Sequence, residues 1–155
     1  MKNFIIGLLI GFIISNILNY LYIKKLKAIK FIKNIKKKSL IKNAGNGLFA
    51  GKDYKKGDLV EINNFILLKS NNVDGLLFDY IFNHSYDDNY CIANLGNISL
   101  INHSIKNANV NPYDFDLNKK EQKCFATKDI KKGEEFLYDY GNSYIENHPN
   151  INLND

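Results

Sequence analysis

A ten-residue pattern of this chain occurs twice, with seven positions identical. Phe49-Ala50-Gly51-Lys52-Asp53-Tyr54-Lys55-Lys56-Gly57-Asp58 returns, 76 residues later, as Phe125-Ala126-Thr127-Lys128-Asp129-Ile130-Lys131-Lys132-Gly133-Glu134. Each copy reads as a strand, a polar turn in which glycine supplies a positive φ, and a second strand. The second strand is Leu59-Val60-Glu61-Ile62 in one copy and Phe136-Leu137-Tyr138 in the other. Two such units predict a pseudo-symmetric β-clip, although strand–Lys-Lys-Gly–strand is also a common turn. Short apolar runs broken by Gly, Asn and Asp continue from Ser39 onward, so a mainly β body is expected. One helix is expected at residues 72–82, with Leu76, Leu77, Tyr80 and Ile81 on one side.

Charge is distributed unevenly. Residues 24–38 hold eight lysines and no acid, whereas residues 39–155 hold 12 lysines against 16 acidic residues, a net −4. The chain has no arginine, which removes bidentate guanine readout and argues against sequence-specific nucleic-acid binding. Residues 4–23 carry no charge, a length that suits one bilayer span, with Tyr20 and Tyr22 at an interface. Ser15, Asn16 and Asn19 weaken that span, and a cleaved signal peptide or a buried helix are its rivals. The lysines that follow place the body on the cytosolic side of the membrane. Residues 24–38 read as a basic juxtamembrane segment, either an amphipathic helix on anionic lipid or a solvated spacer.

The chemistry-bearing residues sit in two short segments. Asn102-His103-Ser104 ends a strand in a polar bend, and Tyr138-Asp139-Tyr140-Gly141 follows Gly133-Glu134-Glu135. His103 with Ser104 or Cys91 invites a hydrolase reading, but no nucleophile-elbow pattern is present. Cys91 and Cys124 read as reduced structural thiols. His84 and His148 read as loop residues, and no residues stand at metal-ligand spacing, so no metal is expected. Gly45-Asn46-Gly47-Leu48 allows a backbone to approach a ligand closely. Tyr138 and Tyr140 fall on one face of a strand, with Asp139 on the other. They form either a core stripe or an aromatic channel for an alkylammonium held by cation–π contacts.

The order Gly-x-Gly, Lys-Lys-Gly-Asp, Asn-His-Ser and Gly-Glu-Glu-x-x-x-Asp-Tyr-Gly resembles the SET domain of protein-lysine methyltransferases, over residues 39–146. The segment Leu76-Leu77-Phe78-Asp79-Tyr80-Ile81-Phe82 and the spacing before Asn-His-Ser resemble its compact bacterial, viral and organellar-type members. The resemblance implies a SET-type β-clip with knot-like C-terminal threading and S-adenosylmethionine as methyl donor. It also implies that Gly45, Gly47, Leu48, Asn102 and His103 bind the cofactor, and that Tyr140 is the catalytic tyrosine. Tyr138 would set the degree of methylation, favouring monomethylation, and Tyr144 would stack near the adenine or close the lysine channel.

The pattern departs from the family in three places. The Pro-Asn often found after Asn-His-Ser is replaced by Ile105-Lys106-Asn107-Ala108-Asn109, so the asparagine arrives one place late. The arginine before Asn-His-Ser and the cysteine-rich zinc segment after the domain are both absent.

The expected organisation is a transmembrane helix at 1–23, a basic segment at 24–38, a catalytic domain at 39–146 and a tail at 147–155. The expected function is lysine monomethylation of a protein or peptide, a histone tail being one such substrate and a cytosolic or viral protein another. An inactive SET-like or β-clip binding module is the alternative.

Overall fold

The structure is a computed structural model of the 155-residue chain. It describes residues 15–17, 33–83, 87 and 89–147. The chain divides into two compact units, Met1–Lys33 and Asn34–Asp155. Of the uncharged run at 4–23 only residues 15–17 are described, and they are helical. The rest of that expected anchor, most of the basic segment, His84, His148 and the tail after residue 147 lie outside the described residues. Among the described residues, no helix is long and apolar enough to cross a membrane.

The second unit is built mainly of β-strands. Strands β1 (Ile35–Lys38) and β2 (Asn46–Phe49) pair antiparallel. Strands β3 (Leu59–Lys69), β4 (Ile81–Asn83), β5 (Tyr90–Asn94), β7 (Val110–Asp116) and β8 (Glu121–Ala126) form an antiparallel sheet in the order β4-β5-β3-β8-β7. A third, parallel pair joins β6 (Asn102–His103) to β9 (Leu137–Tyr138). A short helix, α1 (Asn142–Asn147), follows. Leu48, Phe65, Ile92, Ile98, Ile101, Ile130 and Phe136 fill one core.

Two expectations require correction. The basic segment at 24–38 was expected as helix or spacer, yet its last four residues are β1 and pair with β2. The compact unit therefore begins at Asn34 rather than Ser39. Asn34 explains why: its Nδ2 donates to Val60 O and Glu61 Oε2 (2.8 Å each), and its Oδ1 accepts from Gly51 N–H (3.2 Å) and the Tyr54 hydroxyl (2.7 Å). The helix expected at 72–82 is instead two 3₁₀ turns, Ser70–Asn72 and Gly75–Tyr80, running into β4. Leu77, Phe78 and Tyr80 are exposed, so among the described side chains little of the expected stripe is buried to support an α-helix.

The repeated segments pair with each other. Tyr54 N–H donates to Ile130 O (2.8 Å) and Ile130 N–H returns to Tyr54 O (2.9 Å). Asp53 accepts from Lys132 N–H (2.9 Å), and Asp129 accepts from Lys56 N–H (3.0 Å). Lys131–Asp53 and Lys55–Asp129 form ion pairs across the pseudo-dyad, at 3.2 and 2.6 Å. These pairs are exposed and contribute little stability; their reciprocity fixes the register of the two arms. Gly57 and Gly133 both have φ +89°, the turn conformation that the Lys-Lys-Gly pattern predicts. The second arm thereby brings Glu135, Phe136 and β9 against β2 and β6.

Candidate active site

The loop at 45–47 and the crossing of β6 with β9 meet at Asn102. Asn102 Nδ2 donates to Asn46 O and to Glu135 Oε1, each at 3.1 Å. Gly45 is exposed and has open space where a Cβ would stand, whereas Gly47 is buried. A Cβ at Gly47 would run into the Glu135 carboxylate and crowd Asn102 Nδ2. Leu48 is fully buried in the core, and its carbonyl accepts from Phe136 N–H (2.8 Å). Gly45 and Asn46 are thus the exposed part of this loop, with their carbonyls held by Ser39 N–H (2.9 Å) and Asn102 Nδ2 (3.1 Å).

His103 connects Asn102 to the tyrosines. Its Nδ1 accepts from Tyr140 N–H at 3.1 Å, which leaves the proton of the neutral ring on Nε2. Asp139 Oδ1 lies 3.9 Å from the same Nδ1, but with Nδ1 accepting, that approach is not a hydrogen-bonded ion pair. Asp139 Oδ1 instead accepts from Gly141 N–H (2.9 Å). The hydrolase reading has no geometric basis here: Ser104 is fully buried, and its Oγ accepts from Asn107 N–H (2.8 Å) as a turn cap. Cys91 and Cys124 are free and buried.

Tyr138, Tyr140 and Tyr144 form one cluster. The Tyr138 and Tyr140 rings lie 4.5 Å apart, and Tyr144, on α1, meets Tyr140 edge-on at 4.7 Å. Phe82 stacks on Tyr138 at 5.9 Å and Tyr113 meets it edge-on at 5.8 Å. The Tyr140 hydroxyl donates to Ile101 O at 2.7 Å. The Tyr138 hydroxyl is buried and has no hydrogen-bond partner among the described residues. Burial pushes both phenols well above their ordinary range, so both stay protonated at neutral pH. A buried hydroxyl without a partner among the described residues, in a cluster of aromatic rings, is an arrangement that a bound polar group or a water would satisfy.

The residues singled out in the sequence thus form one connected path, from the 45–47 loop through Asn102 and His103 to Tyr140, Tyr138 and Tyr144. Four others were missed. Glu135 is buried and ties Asn102 to Ser39 and Leu40. Asn109 is buried and clasps both Glu135 and Leu137. Phe82 and Tyr113 pack against Tyr138. For Glu135 a signal existed: in Glu134-Glu135 one carboxylate must turn inward if the pair enters a strand. Glu134 takes the turn, accepting from Lys131 N–H (2.8 Å). Phe82 and Tyr113 carry no local signal.

The SET domain family model matches residues 45–141. No curated protein is a significant sequence match. Several solved structures are similar. One is a Plasmodium falciparum protein assigned as a histone methyltransferase, 27% identical with a TM-score of 0.61, covering 72% of this chain and 96% of that one. Another is the Chaetomium thermophilum polycomb repressive complex 2, 26% identical with a TM-score of 0.60, covering 79% of this chain and 16% of that one. A third is CpSET8 from Cryptosporidium, 26% identical with a TM-score of 0.54, covering 70% and 57%.

Proposed function

The chain belongs to the SET-domain family, and from that we propose that it is a protein-lysine N-methyltransferase. Its family's methyl donor is S-adenosylmethionine. The residues present fit that group: Gly45 is exposed with free space on its side-chain side, and Asn102 Oδ1 accepts no hydrogen bond among the described residues. When bound, S-adenosylmethionine supplies a sulfonium methyl open to in-line attack by a neutral amine. Gly45, Asn102 and His103 would hold it, while Gly47 and Leu48, expected there too, are buried behind them.

The observation that carries the reading is the unpartnered Tyr138 hydroxyl beside the clamped Tyr140 ring. A lysine amine is charged in water, with a pKa of about 10.4. Burial among Tyr138, Tyr140, Phe82 and Tyr113 disfavours its charged form and so frees the lone pair. The aromatic walls hold the alkyl stem and exclude water. Holding an amine in near-attack geometry contributes roughly 7–11 kcal/mol at best. Tyr140, held by Ile101 O, keeps its hydroxyl oxygen at a set position in that chamber.

The test is calorimetric titration of the full chain with S-adenosylmethionine, followed by mass spectrometry of lysine-rich peptides. Saturable binding and methyl-lysine product are expected; a folded chain that binds no cofactor would remove the enzyme reading.

Monomethylation is the product we propose, because the Tyr138 hydroxyl occupies space beside the amine. Tyr138→Phe is expected to raise the product to di- or trimethyl-lysine at similar cofactor affinity. An unchanged product distribution by mass spectrometry would count against that role. The substrate is a lysine-bearing protein segment, of which a histone tail is one; the unit from Asn34 onward holds 15 lysines against 16 acidic residues, a net −1, so long-range charge steering adds little. The parallel β6–β9 crossing is the place for a knot-like threading in this reading. Residues 4–23 serve as a bilayer anchor with the body on the cytosolic side, because an uncharged run is followed at once by lysines. Alkaline extraction of membranes carrying the full chain checks this, and release into the soluble fraction would rule the anchor out.

A further inference from the structure

Glu135 is only 6% exposed. Its Oε1 accepts from Ser39 Oγ (2.6 Å) and Asn102 Nδ2 (3.1 Å), and its Oε2 accepts from Leu40 N–H (2.9 Å). The other Nδ2 hydrogen of Asn102 goes to Asn46 O. Every group facing the carboxylate is thus a donor, and both groups facing Asn102 Nδ2 are acceptors. An amide's oxygen and nitrogen have nearly the same shape, so only its partners hold its orientation. Here two acceptors draw the nitrogen inward, and Oδ1 must face away from Glu135.

We propose that Glu135 is a positioning residue that sets the orientation of the Asn102 amide, so that Asn102 presents an acceptor rather than two donors to a cationic ligand. The proposal rests on the assignment of S-adenosylmethionine to this loop; that ligand carries a sulfonium and an ammonium. Gly47 belongs to the same device, because its missing side chain leaves the space that the carboxylate occupies. Ser39 and Leu40 belong to it as well, since they hold the carboxylate from the far side.

Glu135→Gln keeps the shape and replaces one acceptor by an NH2 group, in a pocket walled by donors. With the new NH2 toward Asn102, two amide nitrogens oppose each other; turning the Asn102 amide over gives Oδ1 to that NH2 at the cost of its bond to Asn46 O, and faces its own NH2 outward. In the ligand-free protein, the side-chain amide resonances of Asn102 are therefore expected to shift by NMR. Affinity for S-adenosylmethionine is expected to weaken about tenfold, with the rate at saturating cofactor falling less than about threefold. Double-mutant cycles isolate such coupling. In an Asn102→Ala background, Glu135→Gln is expected to have no further effect on affinity. Ser39→Ala, a milder change, is expected to weaken affinity in the same direction.

Unmoved Asn102 resonances or an unchanged affinity in Glu135→Gln would overturn the proposal. So would a tenfold loss that persists in the Asn102→Ala background, which marks a general structural role. If the wild-type chain binds no S-adenosylmethionine, the enzyme reading fails separately. The Asn102 resonances then decide alone whether Glu135 sets the amide.

Discussion

Tyr140→Phe is expected to lower the methyl-transfer rate by about a hundredfold or more, the usual scale for losing one preorganised polar group at a reacting centre. Cofactor affinity is expected to stay within a few-fold of the wild type. The reason lies in what the hydroxyl touches. It donates to Ile101 O at 2.7 Å, one residue before Asn102, so the phenol oxygen sits at a fixed place at the chamber wall. The ring has other supports: His103 at 5.1 Å, Tyr138 at 4.5 Å and Tyr144 at 4.7 Å. Phenylalanine keeps those contacts and the backbone hydrogen bond from Tyr140 N–H to His103. The lost hydrogen bond costs about 1 kcal/mol of stability, too little to unfold the domain. Single-turnover rates beside calorimetric titration check this, and a rate within about threefold of the wild type would dismiss the catalytic role.

Asn109→Ala is expected to cost roughly 2–6 kcal/mol of folding stability. Asn109 is 5% exposed. Its Nδ2 donates to Glu135 O (2.8 Å) and its Oδ1 accepts from Leu137 N–H (2.9 Å). Its backbone N–H also donates to Leu137 O (2.9 Å), and its carbonyl accepts from Thr127 N–H (2.8 Å). Alanine preserves the backbone pair and strands two main-chain groups where water does not reach easily. Each such group costs about 1–3 kcal/mol, against a total domain stability of about 5–15 kcal/mol. Because the clasp holds the segment that delivers Glu135 and β9, the loss is also expected to weaken cofactor binding. Urea unfolding with matched titrations tests both, and a loss below about 1 kcal/mol would show that the clasp is dispensable. The late asparagine noted in the sequence is thus the residue that closes this turn, and the substitution of the family's proline leaves its bonds intact.

Much of the site was legible because its signals are local. Lys-Lys-Gly followed by an acid specifies a turn with a positive-φ glycine, and Gly57 and Gly133 adopt it with the acid capping in each arm. Asn102-His103 and Tyr138-Asp139-Tyr140 were visible as short strings of unusual chemistry. The segment at 72–82 was misread because apolar spacing alone does not reveal what covers it. Leu77, Phe78 and Tyr80 face solvent, and Gly75 opens the turn at φ +54°.

By itself, the sequence determined the turn chemistry, the mainly β character and the residue types of the candidate site, because each depends on neighbours a few positions away. Only the tertiary structure decided that the two repeated arms bond to each other, and that Phe82 and Tyr113 pack against Tyr138. It also decided that Glu135 reaches back 96 residues to Ser39 and 33 to Asn102. A buried carboxylate takes whichever donors the packed chain brings within about 3 Å, and packing settles that choice in three dimensions.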